Sequence, residues 1–264
     1  RPVEATQLTG NTFFLNPSDF TQELEEIKVV IEEEIETDYQ KALLDLENIL
    51  AKYPENTEAN YLKGRLFLLI NEYDAAIDHY NKLIERFGER VEYYLEIFEN
   101  YNYKREDDNA LLYVNKAIEL NSLHPNSYWS RGSYFEEIDE REKALADYTT
   151  AIALDSTNME YLYRRALLND LKFNDYEAAL RDYLKVIELD TDTAFAQSEY
   201  LYNDIADFYR YNIKDNTKAL DYYNLEIELR PESAVGYRNR ASLYEDKLND
   251  LEQAEADYSK AIAL

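Results

Sequence analysis

The sequence predicts an all-α fold made of repeated antiparallel helix pairs, and three observations carry this prediction. Alanines recur in steps of 34, 34, 34, 35, 40 and 35 residues, at Ala42, Ala76, Ala110, Ala144, Ala179, Ala219 and Ala254. Each alanine is followed by an apolar residue four positions later and by an aliphatic residue eight positions later. A period near 34 residues is typical of two-helix solenoid repeats. Such a fold offers an extended surface for other chains and argues against a buried active site.

Residues 57–87 illustrate one repeat. A first apolar face has residues three apart, at Tyr61, Gly64 and Phe67, which is helical spacing. The polar residues 71–74 interrupt this pattern. A second apolar face follows, with Ala76, Ile77, Tyr80, Leu83 and Ile84. The repeat is therefore predicted to be a helix, a tight turn and a second helix. Each repeat needs its neighbours, because neither helix can bury its apolar stripe alone.

The same frame recurs along the chain. Four residues after the alanines stand Leu46, Tyr80, Val114, Tyr148, Tyr183, Tyr223 and Tyr258. Eight residues after them stand Leu50, Ile84, Ile118, Ile152, Ile187, Ile227 and Ile262. The first helices carry a column of mostly small residues, which lets paired helices approach closely: Val30, Gly64, Phe98, Gly132, Ala166, Ala206 and Ala241. Phe98 departs from this column, and Glu226 occupies a position that is usually small or apolar.

These residues resemble the tetratricopeptide repeat (TPR). The resemblance is carried by Gly64, Phe67, Tyr73, Ala76 and Tyr80, and again by Gly132, Phe135, Ala144, Tyr148 and Ala151. Pro54 and Pro231 match the proline that ends that repeat. The resemblance covers roughly residues 23–264, and seven repeats in register make it specific. It implies a right-handed α-α superhelix.

The predicted organisation is an N-terminal segment, residues 1–22, followed by seven repeats. In the segment, residues 16–19 are expected to cap the first helix, and Phe13, Phe14 and Leu15 to pack on it. The repeats are predicted at residues 23–56, 57–90, 91–124, 125–158, 159–193, 194–232 and 233–264. The step of 40 indicates about five inserted residues near 191–198. These residues form either an extended loop or a lengthened first helix. The insertion is either tolerated surface variation or a bend that reshapes the groove.

The charge balance excludes several function classes. The 264 residues include 55 acidic and 28 basic side chains, for a net charge of −27, and no cysteine. Such a chain should repel nucleic acids and anionic lipid, which require a basic surface. The absence of cysteine excludes disulfides and thiolate metal sites. No apolar run approaches a membrane span, so we expect a soluble protein without membrane insertion.

The compartment is less constrained by the sequence. The absence of an Asn-x-Ser/Thr acceptor disfavours eukaryotic secretion and slightly favours the cytoplasm. Because the chain begins with Arg1 rather than Met, and its last repeat stops inside a second helix, we expect a fragment or a processed form. A targeting signal can therefore be missing.

The TPR resemblance implies that the first helices line an inner, concave groove that binds a protein or peptide partner. One inward column reads Tyr61, Leu95, Trp129, Tyr163, Asn203 and Arg238. Neighbouring positions add Arg65, Glu96, Glu99, Ser133, Arg164 and Asn239. Trp129 is the only tryptophan, and aromatic anchors dominate protein interfaces. The alternative is that these aromatic residues mainly pack between helices. The twelve residues form the predicted partner-binding face.

The charges along the predicted groove are uneven. The front half is acidic, with Glu58, Glu92, Glu96, Glu99, Glu136 and Glu137, and Arg65 as an exception. The back half is mixed, with Arg164, Asn203, Arg210, Arg238 and Asn239 near Asp170, Asp204, Asp207, Glu245 and Asp246. A ligand with basic residues at one end and an acidic or carboxy-terminal end at the other would suit this pattern. The alternative is a set of solvated helix faces.

Known TPR clamps for the terminal carboxylate of heat-shock chaperones need Lys, Asn and Arg at set positions. Here Arg164, Asn203, Arg238 and Asn239 match that set only in part, so this ligand is disfavoured.

The sequence holds no convergent catalytic set. The two histidines, His79 and His124, lie in different repeats, and no phosphate-binding loop or nucleophile motif is present. We therefore expect no catalysis, no cofactor and no metal site. Three functions stay open: a scaffold that binds a partner, a module that self-associates through its uncapped end near residues 261–264, and a regulatory TPR domain of a larger enzyme or sensor.

Overall fold

The computed structural model describes residues 21–32, 38–198 and 201–264. Every regular element in these ranges is a helix, so the all-α prediction is confirmed. The chain divides into two compact units, Arg1–Ser122 and Leu123–Leu264, here called the N-terminal and C-terminal units. The predicted cap at residues 16–19, and Phe13, Phe14 and Leu15, lie outside the described residues.

The N-terminal unit consists of three antiparallel helix pairs. Its helices are α1 Thr21–Glu32, α2 Tyr39–Lys52, α3 Thr57–Leu69, α4 Tyr73–Phe87, α5 Val91–Tyr103 and α6 Asp107–Leu120. Asn56 caps α3, because its side-chain oxygen accepts from the amide of Ala59 at 2.9 Å. The core of α1 to α3 is aliphatic apart from Tyr39, whereas the core of α4 and α5 contains Tyr80 and Tyr93.

The C-terminal unit continues the pattern with four further pairs. Its α-helices are α7 Pro125–Glu137, α8 Arg141–Leu154, α9 Met159–Leu168, α10 Tyr176–Leu189, α11 Ala194–Ser198, α12 Leu201–Phe208, α13 Asn216–Leu229, α14 Ala234–Leu243 and α15 Leu251–Ala263. Short π-helical turns extend three first helices: π1 Asn169–Phe173, π2 Tyr209–Ile213 and π3 Tyr244–Leu248. One core runs from Ala151 to Leu243.

The seven periodic alanines all lie in second helices and are at most 4% exposed. Opposite Tyr80, Gly64 leaves no room for a side chain, because an added Cβ would lie 2.4 Å from Cζ of Tyr80. A Cβ added at Gly132 would lie 2.9 Å from the ring of Tyr148.

The departure at Phe98 is compensated within its own repeat. Gly64 and Gly132 each face a tyrosine sixteen residues later. Sixteen residues after Phe98 stands Val114, and both side chains are buried. Large and small residues thus exchange places across the helix pair, which keeps the packed volume similar.

The π-helical turns account for the steps of 35 residues. A π-turn inserts one extra residue into a helix, and π1, π2 and π3 occur in the repeats that end the long steps at Ala179, Ala219 and Ala254. Each π-turn is followed by a residue with positive φ, at Asn174, Lys214 and Asn249. An aspartate then caps the second helix through its side chain, at Asp175, Asp215 and Asp250. In three repeats without a π-turn the equivalent residues are Glu72, Glu106 and Glu140, which make no such bond.

The step of 40 contains one residue from π2 and five from the insertion. The insertion forms a turn and the short helix α11. Both carboxylate oxygens of Asp190 accept backbone amides, from Phe195 at 3.0 Å and from Ala196 at 2.8 Å. Because Ala196 is fully buried, the insertion packs into the unit rather than forming an open loop.

Glu226, the second departure, is fully buried and is neutralised by Arg230. The guanidinium lies 2.8 Å from Glu226 Oε1 and also donates to the carbonyl of Ala196. Glu226 therefore helps to hold the insertion in place, because its partner Arg230 joins the end of α13 to α11.

Three helix pairs of the C-terminal unit are joined by a two-bond arginine–aspartate pair. The pairs are Arg131–Asp147, Arg165–Asp182 and Arg240–Asp257, with nitrogen–oxygen distances of 2.7–2.9 Å. The three aspartates are buried. In the sixth repeat, Ile205 and Tyr222 occupy the corresponding positions, so an apolar contact replaces the ion pair there.

Candidate partner-binding face

In the N-terminal unit, predicted face residues join the first helices α3 and α5. The hydroxyl of Tyr61 donates to Glu96 Oε1 at 2.5 Å, and Arg65 Nε lies 3.8 Å from the same oxygen. Leu95 is only 8% exposed and belongs to the packing. Glu99 is half-buried. Most of these side chains therefore hold repeats together, which is the alternative that the sequence left open.

Burial shifts the pKa values of both Glu96 and Tyr61. Removal from water raises the pKa of the Glu96 carboxyl, while the hydrogen bond from Tyr61 and the charge of Arg65 oppose the shift. Burial and the nearby Glu96 also raise the pKa of Tyr61. The phenol therefore stays protonated and donates to the carboxylate, so the contact is a fixed structural link.

A hollow opens beside this link, between the N-terminal ends of α3 and α5. Its volume is about 270 Å³, and it is lined by Thr57, Glu58, Tyr61, Arg90, Glu92 and Tyr93. Glu92 and Arg90 are exposed, and Glu58 is half-exposed beside Lys28. The hollow is large enough for a side chain of a partner, and two carboxylates line it.

In the C-terminal unit, Trp129 is half-buried on α7. Its ring lies 6.2 Å from that of Tyr161, and its indole nitrogen is buried without a hydrogen-bond partner among the described residues. Ser133 contacts the hydroxyl of Tyr148 at 3.3 Å. Trp129 thus fits both alternatives that the sequence left open, since it packs against the core and is still partly exposed.

Further along this unit, the predicted residues again pair between first helices. Tyr163 donates to Asp204, and Asn239 donates to Asn203 at 2.8 Å. Tyr163 and Asn203 are at most 8% exposed. Arg164 pairs with Glu160 on its own helix at 3.0 Å, and Arg238 is exposed. Of this group, Arg164 and Arg238 are the most accessible to a partner.

Arg210 does not offer its charge to the face. Its side chain is 2% exposed and lies 2.9 Å from Asp246, and it also donates to Ser242 and to the carbonyl of Asn239. The guanidinium therefore links π2 to α14 and π3, which leaves the back half of the face less basic than the sequence suggested.

Three carboxylates gather on the first helices of the fifth and sixth repeats. Burial raises the pKa of Asp170 and of Asp204 to about 6 each, and neighbouring carboxylates add to both shifts. Burial also raises the pKa of Asp207. Their hydrogen-bond partners are neutral, since Asn212 donates to Asp170, Tyr163 to Asp204 and Tyr223 to Asp207. This acidic cluster was visible in the sequence only as scattered aspartates.

One further set of hydrogen bonds could have been predicted from the sequence. Two of the tyrosines that stand four residues after a periodic alanine donate to glutamates of their own first helices, Tyr148 to Glu136 at 2.7 Å and Tyr258 to Glu245 at 2.9 Å. Both glutamates stand four residues after the small residue of the first helix. The recurring spacing was the signal.

Two features of the described part of the chain bear on other functions. None of its helices combines the length and the apolarity that a membrane crossing requires. Among the same residues, no group of three or more His, Asp or Glu side chains could hold a metal ion.

Comparison with known proteins finds the same kind of repeat in this chain. Two family models described as tetratricopeptide repeat match residues 36–90 and 236–264. The rat serine/threonine-protein phosphatase 5 is 33% identical over 99 residues, which are 37% of this chain and 20% of the phosphatase. The human mitochondrial import receptor subunit TOM70 is 25% identical over 232 residues, which are 83% of this chain and 36% of the receptor.

The chain therefore spans about a fifth of the length of the phosphatase and just over a third of the length of the import receptor subunit. Among solved structures, a chain of the APC/C hetero-tetramer Cut9–Hcn1 matches with a TM-score of 0.63 at 15% identity. The match covers 91% of this chain and 45% of that one. The periodic helix pairs, the family models and the shared fold identify this chain as a tetratricopeptide repeat protein.

Proposed function

We propose that the chain is a non-catalytic scaffold that binds a peptide or helix of a partner protein on the face formed by its first helices. The hollow between α3 and α5 carries this proposal, because it is open, has the size of a side chain and is lined by Glu58, Glu92 and Tyr61. Extended segments dock on such faces through side chains that enter pockets.

The chemistry of the hollow favours a partner with basic residues. The carboxylate of Glu92, and that of Glu58 once a partner displaces Lys28, would attract a lysine or arginine against the opposing charge of Arg90. The net charge of −27 would steer basic segments toward the chain. The relatives support protein binding in general terms, since one is named an import receptor subunit and one solved chain belongs to a hetero-tetramer.

Charge reversal in the hollow tests this function. Peptides are first selected from a random display library on the intact chain. We expect Glu58→Lys/Glu92→Lys to weaken a selected basic peptide by about tenfold or more, because two attractive contacts become repulsive. The measurement is titration of the fluorescence of Trp129, or calorimetry where that signal is silent.

The matched control is Glu85→Lys/Glu119→Lys, which reverses two exposed glutamates on the second helices α4 and α6. It changes the net charge equally and should alter the affinity by less than about twofold. Equal losses in the two variants would show that the first-helix face is not the binding surface.

A second candidate function is self-association through the end of α15. Ile262 is 86% exposed, whereas Ile152 and Ile227 in the same column are 9% exposed. Ile227 packs against Gly236 of the next first helix. A second copy, or further repeats, would cover Ile262 in the same way.

Light scattering across a concentration series tests the second candidate. We expect Ile262→Glu to weaken association about tenfold or more, because burial of one isoleucine contributes about 1.5–3 kcal/mol. Leu171→Glu, at a residue 67% exposed elsewhere in the unit, should leave association unchanged. A monomer at every concentration would exclude self-association.

The third function, a regulatory domain of a larger enzyme or sensor, stays a prediction. The match to a phosphatase covers only a fifth of that protein. The full-length gene sequence would test it, because a catalytic segment outside these residues would be apparent.

A further inference from the structure

Large apolar side chains are exposed at all three π-helical turns of the C-terminal unit. The exposed fraction is 67% for Leu171 in π1, 57% for Tyr211 and 43% for Ile213 in π2, and 39% for Leu248 in π3. Leu251, which begins the helix after π3, is 62% exposed. Single exposed apolar residues are ordinary, but a contiguous group of them marks an interaction surface. The arrangement of the three turns decides whether these five residues form such a group.

The three π-turns lie side by side. Asn212 of π2 donates to Asp170 of π1. Arg210 of π2 is buried and donates to Asp246 of π3 at 2.9 Å. Four of the exposed apolar residues stand one or two positions from these contacts in the sequence, and Leu251 follows shortly after. The apolar residues therefore form a row along one edge of the unit, here called the π-turn edge.

Lysines without an ion-pair partner accompany this row. Each stands directly beside an exposed apolar residue, and they are Lys172, Lys214 and Lys247. All three are exposed, and none has an ion-pair partner among the described residues. Most other cations of the C-terminal unit do have one. The exceptions in the described part of this unit are Lys218, Arg238 and Lys260.

The carboxylates that stand within three residues of these lysines are engaged elsewhere. Asp175, Asp215 and Asp250 accept the first backbone amides of α10, α13 and α15. The positive ends of these helices offset the charge of the three caps. The remaining carboxylates accept hydrogen bonds from other turns or from α15, and they are Asp170, Glu245 and Asp246. The three lysines are therefore available to a ligand.

We propose that the π-turn edge is a second docking surface, and that it binds an acidic segment of a partner protein in which apolar residues alternate with glutamate or aspartate. The apolar residues of the segment pack on Leu171, Tyr211 and Leu248. Its carboxylates pair with the neighbouring lysines, whose aliphatic stems also cover apolar surface. The edge lies on the π-turns rather than on the predicted partner-binding face, so this inference goes beyond the proposed function.

Charge favours a short protein segment over an anionic membrane as the occupant. Screening limits the charges that a short segment meets to those within about 8 Å at physiological salt, and at the π-turn edge these include the three lysines. An anionic membrane is an extended plane that faces much more of the chain, whose net charge is −27. The repulsion is therefore larger for the membrane.

Peptide selection on the intact chain tests the surface. A random display library with peptides of about twelve residues is suitable, since such a peptide reaches about 40 Å when extended. We expect one class of selected peptides to be acidic and apolar. Lys214→Glu/Lys247→Glu should weaken labelled synthetic copies of this class about tenfold or more, because two attractive contacts become repulsive. Fluorescence anisotropy measures the affinity, and circular dichroism checks that the fold persists.

The matched charge control is Lys185→Glu/Lys260→Glu. These two lysines lie in the C-terminal halves of α10 and α15, whereas the π-turn edge is at the N-terminal ends of those helices. The control variant changes the net charge equally and should alter the affinity by less than about twofold. Equal losses in the two lysine variants would overturn the inference, and so would a selection without any acidic and apolar peptide.

A second pair of variants tests the apolar row. Leu171→Ser/Tyr211→Ser should also weaken the acidic peptides about tenfold or more, because two apolar contacts are lost. Leu184→Ser/Leu225→Ser changes two leucines that are 44% and 40% exposed on α10 and α13, and should leave the affinity within about twofold. Equal losses in these two variants would show that the row is not the contact surface.

Sedimentation with vesicles of phosphatidylcholine and phosphatidylserine tests the other occupant. We expect the chain to stay in the supernatant. Sedimentation with the vesicles that Lys214→Glu/Lys247→Glu abolishes would assign the π-turn edge to a membrane and would overturn the proposal of a protein segment. The basic peptides of the proposed function are tested separately by Glu58→Lys/Glu92→Lys, so the failure of one surface is distinguishable from the failure of the other.

Discussion

Replacing Arg165 with methionine is expected to lower the free energy of unfolding by about 3–5 kcal/mol, because it leaves a buried charge unpaired. The partner, Asp182, is 4% exposed and accepts two bonds from the guanidinium, at 2.8 and 2.9 Å. Urea denaturation followed by circular dichroism measures the loss.

Two comparisons separate this effect from a general loss of charge. Arg181→Met removes an arginine that is 66% exposed beside an exposed Glu177, and should cost less than about 1 kcal/mol. The double variant Arg165→Ile/Asp182→Tyr copies the sixth repeat, where Ile205 and Tyr222 stand. It should recover much of the loss, since apolar residues can replace a buried ion pair. If Arg165→Met were as stable as Arg181→Met, the buried ion pair with Asp182 would not be an important source of stability.

Replacing Gly64 with alanine is the second large effect that we expect, with a loss of about 1–3 kcal/mol from overpacking. The new Cβ would lie 2.4 Å from Cζ and 2.7 Å from the hydroxyl of Tyr80. Tyr80 is fully buried, and its hydroxyl donates to the carbonyl of Tyr61 at 3.0 Å. The ring therefore cannot move without breaking that bond. Thermal and urea unfolding measure the change.

A second-site change tests whether the clash with Tyr80 is the cause. In the first repeat, Val30 and Leu46 occupy the two corresponding positions. Adding Tyr80→Leu to Gly64→Ala should therefore cost less than the sum of the two single changes, because residues in contact are not additive. Gly132→Ala should be milder, since its Cβ would lie 2.9 Å from Tyr148. Strict additivity would place the cause elsewhere.

Much of the fold follows from local, repeated signals. The spacing of the seven alanines predicted the second helices, because tight helix packing needs a small residue at the same place in every repeat. The surplus residues at the steps of 35 and 40 also marked real features, namely the π-turns and α11. The capping aspartates Asp175, Asp215 and Asp250, against glutamates in earlier repeats, were a readable signal of the π-turns.

The candidate face was predicted less completely. The sequence placed Tyr61, Glu96, Tyr163 and Asn203 on the first helices, but it could not show that they bond to the next repeat. Arg210 was expected among the accessible charges, yet it is buried. Residue type and helical position decide which face a side chain occupies. They do not decide whether a neighbouring repeat or a partner satisfies it.

The sequence by itself determined the helix pairs and their order, because the period of 34 and the apolar spacing are properties of local chain geometry. Only the tertiary structure decided which polar groups are satisfied. Tyr163 and Asp204 are 41 residues apart, and Asp170 and Asn212 are 42 apart. Such contacts depend on side-chain length and direction across two repeats. That is why the acidic residues of the first helices could be located from the sequence, whereas their hydrogen-bond partners could not.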